Sequence, residues 1–130
     1  MIVVDTSALV AILKVEPDAA QLLSCLGESP ANRISMATLM EAQVVVINQL
    51  GDPGLVELEL LLSRAQVQTI PFDAHHLRWA LHGWRQYGKG RHQAALNLGD
   101  CFSYGLAKAL DAPLLFKGED FPFTDIQVAC

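Results

Sequence analysis

Four acidic residues could together hold a divalent cation: Asp5, Glu41, Asp100 and an acid near the C-terminus, Asp120 or Asp125. Asp5 ends an apolar segment at the N-terminus, and the last two acids follow another apolar segment. Carboxylates that gather in one place repel each other and raise each other's pKa unless a cation neutralises them. Their hard oxygen atoms suit Mg²⁺ or Mn²⁺. If the fold brings four of them together, we expect a divalent metal site.

Each of these acids also has an ordinary structural explanation. Asp5 and Asp100 both stand at the start of a helical segment, where an aspartate commonly caps the free N–H groups. Glu41 follows Thr38 by three residues, which is the spacing of a capping box. Glu41 is also the only charged residue within 34–51, and an unpaired buried carboxylate is costly. Both a capping role and a ligand role therefore stay open for Glu41.

The elements that must position these acids are indicated by the apolar pattern. Residues 1–4 are apolar on both faces, which is typical of a short buried strand. Further strands are predicted over residues 33–36, 67–70 and 113–116, with a short one at 126–128. The pattern predicts helices over residues 8–13, 18–26, 39–50, 55–65, 73–87 and 100–110, a turn over 51–54 and a loop over 88–98.

Short apolar strands that alternate with helices predict an α/β fold with a parallel sheet covered on both faces. In such sheets, ligands bind beyond the carboxyl ends of the strands. Asp5 and the acids near the C-terminus follow predicted strands, and Glu41 and Asp100 lie near helix starts. The sequence therefore predicts that the acids share one edge of the sheet.

The composition excludes several classes of protein. With 130 residues, 52% of them hydrophobic, and a mean hydropathy of +0.29, we expect a single folded domain over residues 1–130. No apolar run reaches the ~20 residues of a membrane span. No basic segment precedes the first strand, so we expect no secretory signal. Three cysteines without paired or metal-type spacing indicate a reduced, intracellular protein.

Four segments of the chain, in order, resemble the sequence motifs of PIN domains. Residues 2–12, which begin Ile-Val-Val-Asp-Thr-Ser, resemble the opening of that family, and Glu41 matches its second acid. Residues 98–107 resemble the third motif, and residues 114–121 with the following Thr124-Asp125-Ile126 resemble the C-terminal signature. The order and spacing are similar to those of VapC-type toxins of VapBC toxin–antitoxin pairs, over essentially the whole chain.

This resemblance implies a three-layer α/β/α sandwich with a short central parallel sheet. It implies an endoribonuclease that depends on Mg²⁺ or Mn²⁺ and hydrolyses RNA phosphodiester bonds with metal-activated water. Asp5, Glu41 and Asp100 match the acids that serve as metal ligands and catalytic residues in this family. For the fourth acid we take Asp120, whereas Asp125 could instead hold the C-terminal segment in place.

The resemblance also implies partners and a location. It implies a VapB-type antitoxin, a homodimer and a cytoplasmic protein without membrane contact. An Arg or Lys inserted by the antitoxin would neutralise the carboxylates. Residues 55–62 are one candidate for the dimer interface, although core packing explains them equally well. Thr6 and Ser7 could donate hydrogen bonds to the carboxylates, or cap the first helix.

The net charge of −5 argues against nucleic-acid binding until its distribution is considered. No acidic residue occurs between Asp73 and Asp100, and this stretch holds all four histidines. Residues 84–92 combine basic groups, which contact phosphates, with aromatic rings, which stack on unpaired bases. We expect RNA contacts here from Arg85, Lys89, Arg91 and His92. Ordinary surface or packing roles are the alternative.

Two other folds with acidic pockets fit the sequence less well. Haloacid-dehalogenase-like phosphatases place a second Asp two residues after the first, where this chain has Ser7. A receiver domain needs an acceptor Asp after a middle strand, where only Asp73 is available. A PIN-fold module that binds RNA or protein without cutting, and a PIN-type DNA nuclease, stay as alternatives.

Overall fold

A computed structural model describes all 130 residues as four strands, five α-helices and one 3-10 turn. The strands are β1 (Ile2–Val4), β2 (Asn32–Ser35), β3 (Val67–Ile70) and β4 (Leu114–Leu115). The helices are α1 (Thr6–Leu13), α2 (Ala19–Glu28), α3 (Met36–Arg64), α4 (Ala74–Tyr87) and α5 (Leu98–Leu110). The 3-10 turn spans Phe121–Phe123.

The four strands form one parallel sheet in the order β3-β2-β1-β4. Val3 of the central strand β1 pairs with Arg33 on one side and with Leu114 on the other. The chain steps outward from β1 to β3 and then crosses to β4, on the other side of β1. The strand order therefore reverses at β1, and this is where open α/β sheets bind ligands.

Alternate residues of β1 belong to two different cores. Ile2 and Val4 pack with buried side chains of α1, α2 and α3, including Leu9, Leu22 and Val46. Val3 packs on the other face with buried side chains of α4 and α5. Helices therefore cover both faces of the sheet, which confirms the predicted three-layer α/β/α sandwich with a short parallel sheet.

Several predicted boundaries shift by a few residues. Helix α1 begins at Thr6 rather than residue 8, because Asp5 itself is its N-cap. Helix α3 begins at Met36 rather than residue 39, since the predicted strand over 33–36 ends one residue earlier at Ser35. The last predicted strand, 126–128, is reduced to one bridge between Val128 and Leu114 at the edge of the sheet.

The predicted turn over residues 51–54 is a kink within α3. Gly51 has φ 70° and ψ −168°, and helical geometry resumes immediately afterwards, with Pro53 in its first turn. Proline is favoured at the start of a helix because its missing N–H is not needed there. The sequence correctly indicated a break in the helix, but the chain changes direction at Gly51 and continues as a helix instead of forming a separate turn.

The apolar residues of α3 divide between core and surface. In the second half, which contains the candidate dimer segment 55–62, Leu58 is fully buried and Leu55, Leu61 and Leu62 pack against the same core, whereas Val56 and Leu60 are exposed. In the first half, five side chains at helical spacing are exposed: Met36, Met40, Val44, Ile47 and Leu50. No helix of the chain is long and apolar enough to cross a membrane.

The kink at Gly51 yields a prediction for stability. Gly51→Ala should lower the free energy of unfolding by about 1–3 kcal/mol, because its dihedral angles lie in a region essentially restricted to glycine. Gly27→Ala is the control, since Gly27 is exposed in α2 and a Cβ there meets nothing within 4 Å. Urea denaturation measures both. Equal stability of Gly51→Ala and the wild type would contradict the assigned role.

Candidate active site

Asp5 stands at the carboxyl end of β1 and is 3% exposed. Its Oδ2 accepts hydrogen bonds from Ser7 N at 3.0 Å and from Ser7 Oγ at 2.6 Å, so the predicted N-cap of α1 is present. Its Oδ1 accepts a hydrogen bond from Ser103 Oγ of α5 at 2.5 Å. Both oxygens are therefore fixed by hydroxyl groups from two different helices.

Glu41 has no capping role, and the predicted capping box with Thr38 is wrong. Ser35 is the N-cap of α3, because its Oγ accepts a hydrogen bond from Ala37 N at 3.2 Å. Glu41 Oε1 instead accepts a hydrogen bond from Thr6 Oγ1 at 2.6 Å. Burial raises the pKa of Glu41; the Thr6 hydroxyl opposes this, and the charge of Asp5 adds to it.

Asp100 takes part in the capping box at the start of α5 and also lines a cavity together with Asp5 and Glu41. The N-cap is Asn97, whose Oδ1 accepts a hydrogen bond from Asp100 N at 2.8 Å, while Asp100 Oδ2 accepts one from Asn97 N at 3.0 Å. The pKa of Asp100 is raised to about 7. Burial is the largest cause; the Asn97 hydrogen bond opposes it, and the charges of Asp5, Asp120 and Glu41 add to it.

The two candidate acids near the C-terminus lie in different places. Asp120 lines a cavity of about 270 Å³ together with Asp5 and Asp100. Asp125 accepts hydrogen bonds from Tyr104 Oη at 3.0 Å and from Lys108 Nζ at 2.9 Å, both on α5. Asp120 is therefore the acid near the other carboxylates, and Asp125 ties the C-terminal segment to α5.

A second cavity, of about 320 Å³, is lined by Asp5, Glu41 and Asp100. Lys117 is the only Lys or Arg that lines either cavity, and its Nζ is paired with Glu16 at 2.9 Å and Asp18 at 3.2 Å. The ion pairs of the chain involve none of Asp5, Glu41, Asp100 and Asp120. The pocket therefore carries a negative charge that no basic side chain compensates.

The donor chemistry of this pocket fits a hard divalent cation. Carboxylate oxygens predominate, and oxygen donors are what Mg²⁺ and Mn²⁺ prefer. In the metal-free arrangement, no three acidic, histidine or cysteine side chains lie close enough together to hold a metal ion. The fit therefore depends on the uncompensated charge and on the ligand type, and not on preformed coordination geometry.

Two hydroxyl residues support the site although the sequence did not predict this role for them. Ser103 is fully buried and donates to Asp5, and its Oγ lies 3.3 Å from Thr38 Oγ1 of α3, which is also fully buried. Ser103 lies one helical turn after Asp100, so the two share a face of α5. A serine at this spacing in an apolar helix was the available signal.

The four predicted RNA-binding residues lie at the end of α4 and in the following loop. Arg85, Lys89 and Arg91 are exposed. His92 is half-buried: its ring contacts Tyr87 edge to face, with the ring centroids 5.1 Å apart, and its Nδ1 accepts a hydrogen bond from Ala94 N at 3.0 Å. The loop leads directly into Asn97, the N-cap of the helix that carries Asp100.

Comparison with known protein families gives a match over nearly the whole chain. The model of the PIN domain matches residues 2–126. Ribonuclease VapC of Mycolicibacterium smegmatis is 50% identical over 124 residues, which cover 95% of this chain and 96% of that protein. Ribonuclease VapC30 of Mycobacterium tuberculosis is 49% identical over 124 residues, 95% of each protein.

Solved structures share the fold at low sequence identity. VapC20 of Mycobacterium tuberculosis, described as a toxin that cleaves the sarcin-ricin loop, superposes with a TM-score of 0.77 and 16% identity, covering 97% of this chain and 96% of that chain. VapBC2 of Rickettsia felis, bound to a DNA fragment from its promoter, gives a TM-score of 0.75 and 21% identity, covering 98% and 96%.

The crowding of the carboxylates yields a prediction for the metal-free protein. Asp100→Asn should raise the free energy of unfolding at about pH 8 by at least about 1 kcal/mol. The reason is that an acid whose pKa is raised in the folded state favours the fold while protonated, and this contribution is lost as the pH rises from about 4 to about 7. Urea denaturation in EDTA at about pH 5 and about pH 8 measures the effect, which should be clearly smaller at the lower pH.

Asp73→Asn is the matched control for this experiment. Asp73 also lies at the start of a helix, but a hydrogen bond from the His76 backbone holds its pKa below the ordinary value. Neutralising Asp73 should therefore give no gain in stability at either pH. If Asp100→Asn and the wild type have the same stability at about pH 8, the carboxylates are not crowded as described.

Proposed function

This chain belongs to the PIN domain family, and on that basis we propose that it is a metal-dependent endoribonuclease toxin of a type II toxin–antitoxin system. The observation that carries the proposal is the group of carboxylates at the carboxyl edge of the sheet, with no Lys or Arg paired to any of them. Relatives that are about 50% identical over nearly the full length are named as VapC ribonucleases, and these names support the proposed cleavage of RNA and the proposed toxin role.

We assign Asp5, Glu41, Asp100 and Asp120 as the residues that hold Mg²⁺ or Mn²⁺. When bound, the cation activates water and stabilises negative charge on the scissile phosphate. The chain's own part is to hold the carboxylates in fixed orientations: Ser7 and Ser103 hold Asp5, Thr6 holds Glu41, and the Asn97 backbone holds Asp100. Groups fixed in this way lose little freedom when they bind a ligand.

The proposed substrate is RNA, approached from the basic segment. Arg85, Lys89 and Arg91 are exposed and precede the helix that carries Asp100. Their charges would attract the phosphate backbone, which the acidic pocket alone would repel. The ring of His92 packs against Tyr87, and its Nδ1 accepts a hydrogen bond from Ala94 N. We therefore propose that His92 shapes the loop in addition to any contact that it makes with RNA.

The proposed partner is a VapB-type antitoxin that blocks this pocket. An apolar groove of about 620 Å³ lies between α1, α2 and the second half of α3, lined by residues such as Ile12, Leu23 and Leu60. Val10 of α1 lines the acidic pocket, so the groove and the pocket lie along the same helix. An antitoxin segment with apolar residues followed by an Arg or Lys would fill the groove and neutralise the carboxylates.

We further propose that the protein is a cytoplasmic homodimer. The support is the exposed apolar side of the first half of α3, which runs from Met36 to Leu50. Apolar surface of this extent is more typical of an interface than of a monomer's surface. Residues 55–62 stay the other candidate for the interface, because Val56 and Leu60 of that segment are also exposed while Leu58 is part of the core.

The central prediction concerns cleavage. Asp5→Asn, Asp100→Asn and Asp120→Asn should each reduce metal-dependent RNA cleavage by at least about a hundredfold, because each removes one anionic ligand. Asp125→Asn should retain cleavage, since Asn still accepts the Tyr104 hydrogen bond and Asp125 lies outside the pocket. The assay is fragment formation from total cellular RNA with Mg²⁺, Mn²⁺ or EDTA, using protein freed of any partner.

The outcomes separate the alternatives. If the Asp100→Asn variant and the wild type give the same fragments, the cleavage comes from a contaminant. If the wild type cuts DNA but not RNA, the protein is a PIN-type DNA nuclease. If it binds RNA and cuts neither nucleic acid with either metal, it is a binding module. If Asp125→Asn loses activity and Asp120→Asn keeps it, our choice of the fourth acid is wrong.

A separate prediction concerns RNA binding. In the Asp100→Asn background, changing Arg85, Lys89 and Arg91 to Ala should weaken RNA binding and reduce the salt dependence of log Kd by about 0.7 for each phosphate that the protein no longer neutralises. Arg64→Ala, an exposed residue at the end of α3, is the control and should change neither quantity. Fluorescence anisotropy with labelled RNA at several salt concentrations measures both. If the salt dependence is unchanged in the Arg85, Lys89 and Arg91 variant, these residues do not form the RNA-binding surface.

A further inference from the structure

The carboxylate of Glu41 lies directly against the backbone of Gly99, in the first turn of α5. A Cβ atom built on Gly99 would overlap Oε2 and Cδ of Glu41 and would stand 2.8 Å from Oε1. Gly99 is buried, so the Glu41 carboxylate occupies the space that any other side chain at this position would fill. The contact joins α3 to the start of the helix that carries Asp100.

The backbone of Gly99 gives no other reason for a glycine here. Gly99 lies within α5 and does not have the positive φ of Gly51, Gly90 or Gly118. Alanine is the better helix former at such a position, so local stability favours a side chain. The space taken by the Glu41 carboxylate is therefore what requires the glycine.

The neighbours of Glu41 leave its carboxylate one well-defined place. Thr6 Oγ1 of α1 donates to Oε1 at 2.6 Å, and the Gly99 backbone lies on the Oε2 side. A methyl group on Gly99 would displace the end of a flexible side chain, so the carboxylate would move away while the fold stays intact. We therefore expect Gly99→Ala to weaken metal binding at the site without lowering the stability of the protein.

We propose that Gly99 is a positioning residue, whose missing side chain admits the Glu41 carboxylate to its place in the pocket between α1, α3 and α5. The part of this inference that concerns metal binding rests on the proposed function. The part that concerns the position of Glu41 stands on the contact alone.

The test compares Gly99→Ala with Gly27→Ala, which adds the same methyl group to an exposed helical glycine with no neighbour within 4 Å. Gly99→Ala should keep the thermal stability of the metal-free protein and lower the affinity for Mn²⁺, by isothermal titration calorimetry, about tenfold or more. Its metal-free crystal structure should have Glu41 Oε1 more than about 3.5 Å from Thr6 Oγ1, beyond hydrogen-bond distance. Gly27→Ala should keep the Mn²⁺ affinity and the Glu41–Thr6 hydrogen bond of the wild type, and its thermal stability should be equal or higher, because alanine favours a helix.

Glu41→Asp supplies the rescue, because its carboxylate is one methylene shorter and clears a Cβ at residue 99. Adding Gly99→Ala to Glu41→Asp should therefore cost no further Mn²⁺ affinity, so the two changes should be strongly non-additive. If Gly99→Ala lowers the affinity equally in both backgrounds, or leaves the Glu41–Thr6 hydrogen bond in place, the inference is wrong. If the wild type binds no Mn²⁺ and cuts no RNA, the proposed function fails, while the crystal structure still decides the role of Gly99.

Discussion

A carboxylate buried at the end of the central strand is the constraint on which the rest of this structure depends. Asp5 is 3% exposed and has no ion pair, and an uncompensated charge in such a place is costly. The helices on both faces of the sheet must therefore bring polar groups to this one point. Ser7 of α1 and Ser103 of α5 donate to its two oxygens, and Thr38 of α3 contacts Ser103 in turn.

The carboxylates gathered at this point lower the stability of the fold when they are ionised, and they are the same groups that form the proposed metal site. Asp100 has a pKa raised to about 7 because burial and three other carboxylates disfavour its ionised form. Lys117 lines the pocket, yet its ammonium group is held by Glu16 and Asp18 and does not neutralise the acids. The site is therefore organised to receive a positive charge from outside the chain. A divalent cation and a basic group of an antitoxin would satisfy the same electrostatic demand, which explains physically how an inhibitor could compete with the metal.

The sequence predicted the order of the elements well, because buried strands and amphipathic helices leave apolar patterns of different period. It erred where two local signals competed. Thr38 and Glu41 have the spacing of a capping box, but Ser35 ends β2 and caps the helix first, which leaves both side chains free to turn inward. Gly51 and Pro53 indicated a turn, but the helix resumes at once, since both residues also suit a kink followed by a helix start.

The sequence by itself determined the fold class, the family resemblance and the acids, because the residue types and their positions after strands and at helix starts are local properties of the chain. Only the tertiary structure decided which late acid belongs to the pocket, since Asp120 and Asp125 differ in their neighbours and not in their local pattern. It alone placed Ser103 against Asp5, and Gly99 against Glu41. Both contacts join residues far apart in the chain, and packing between helices, which no local pattern encodes, brings them together.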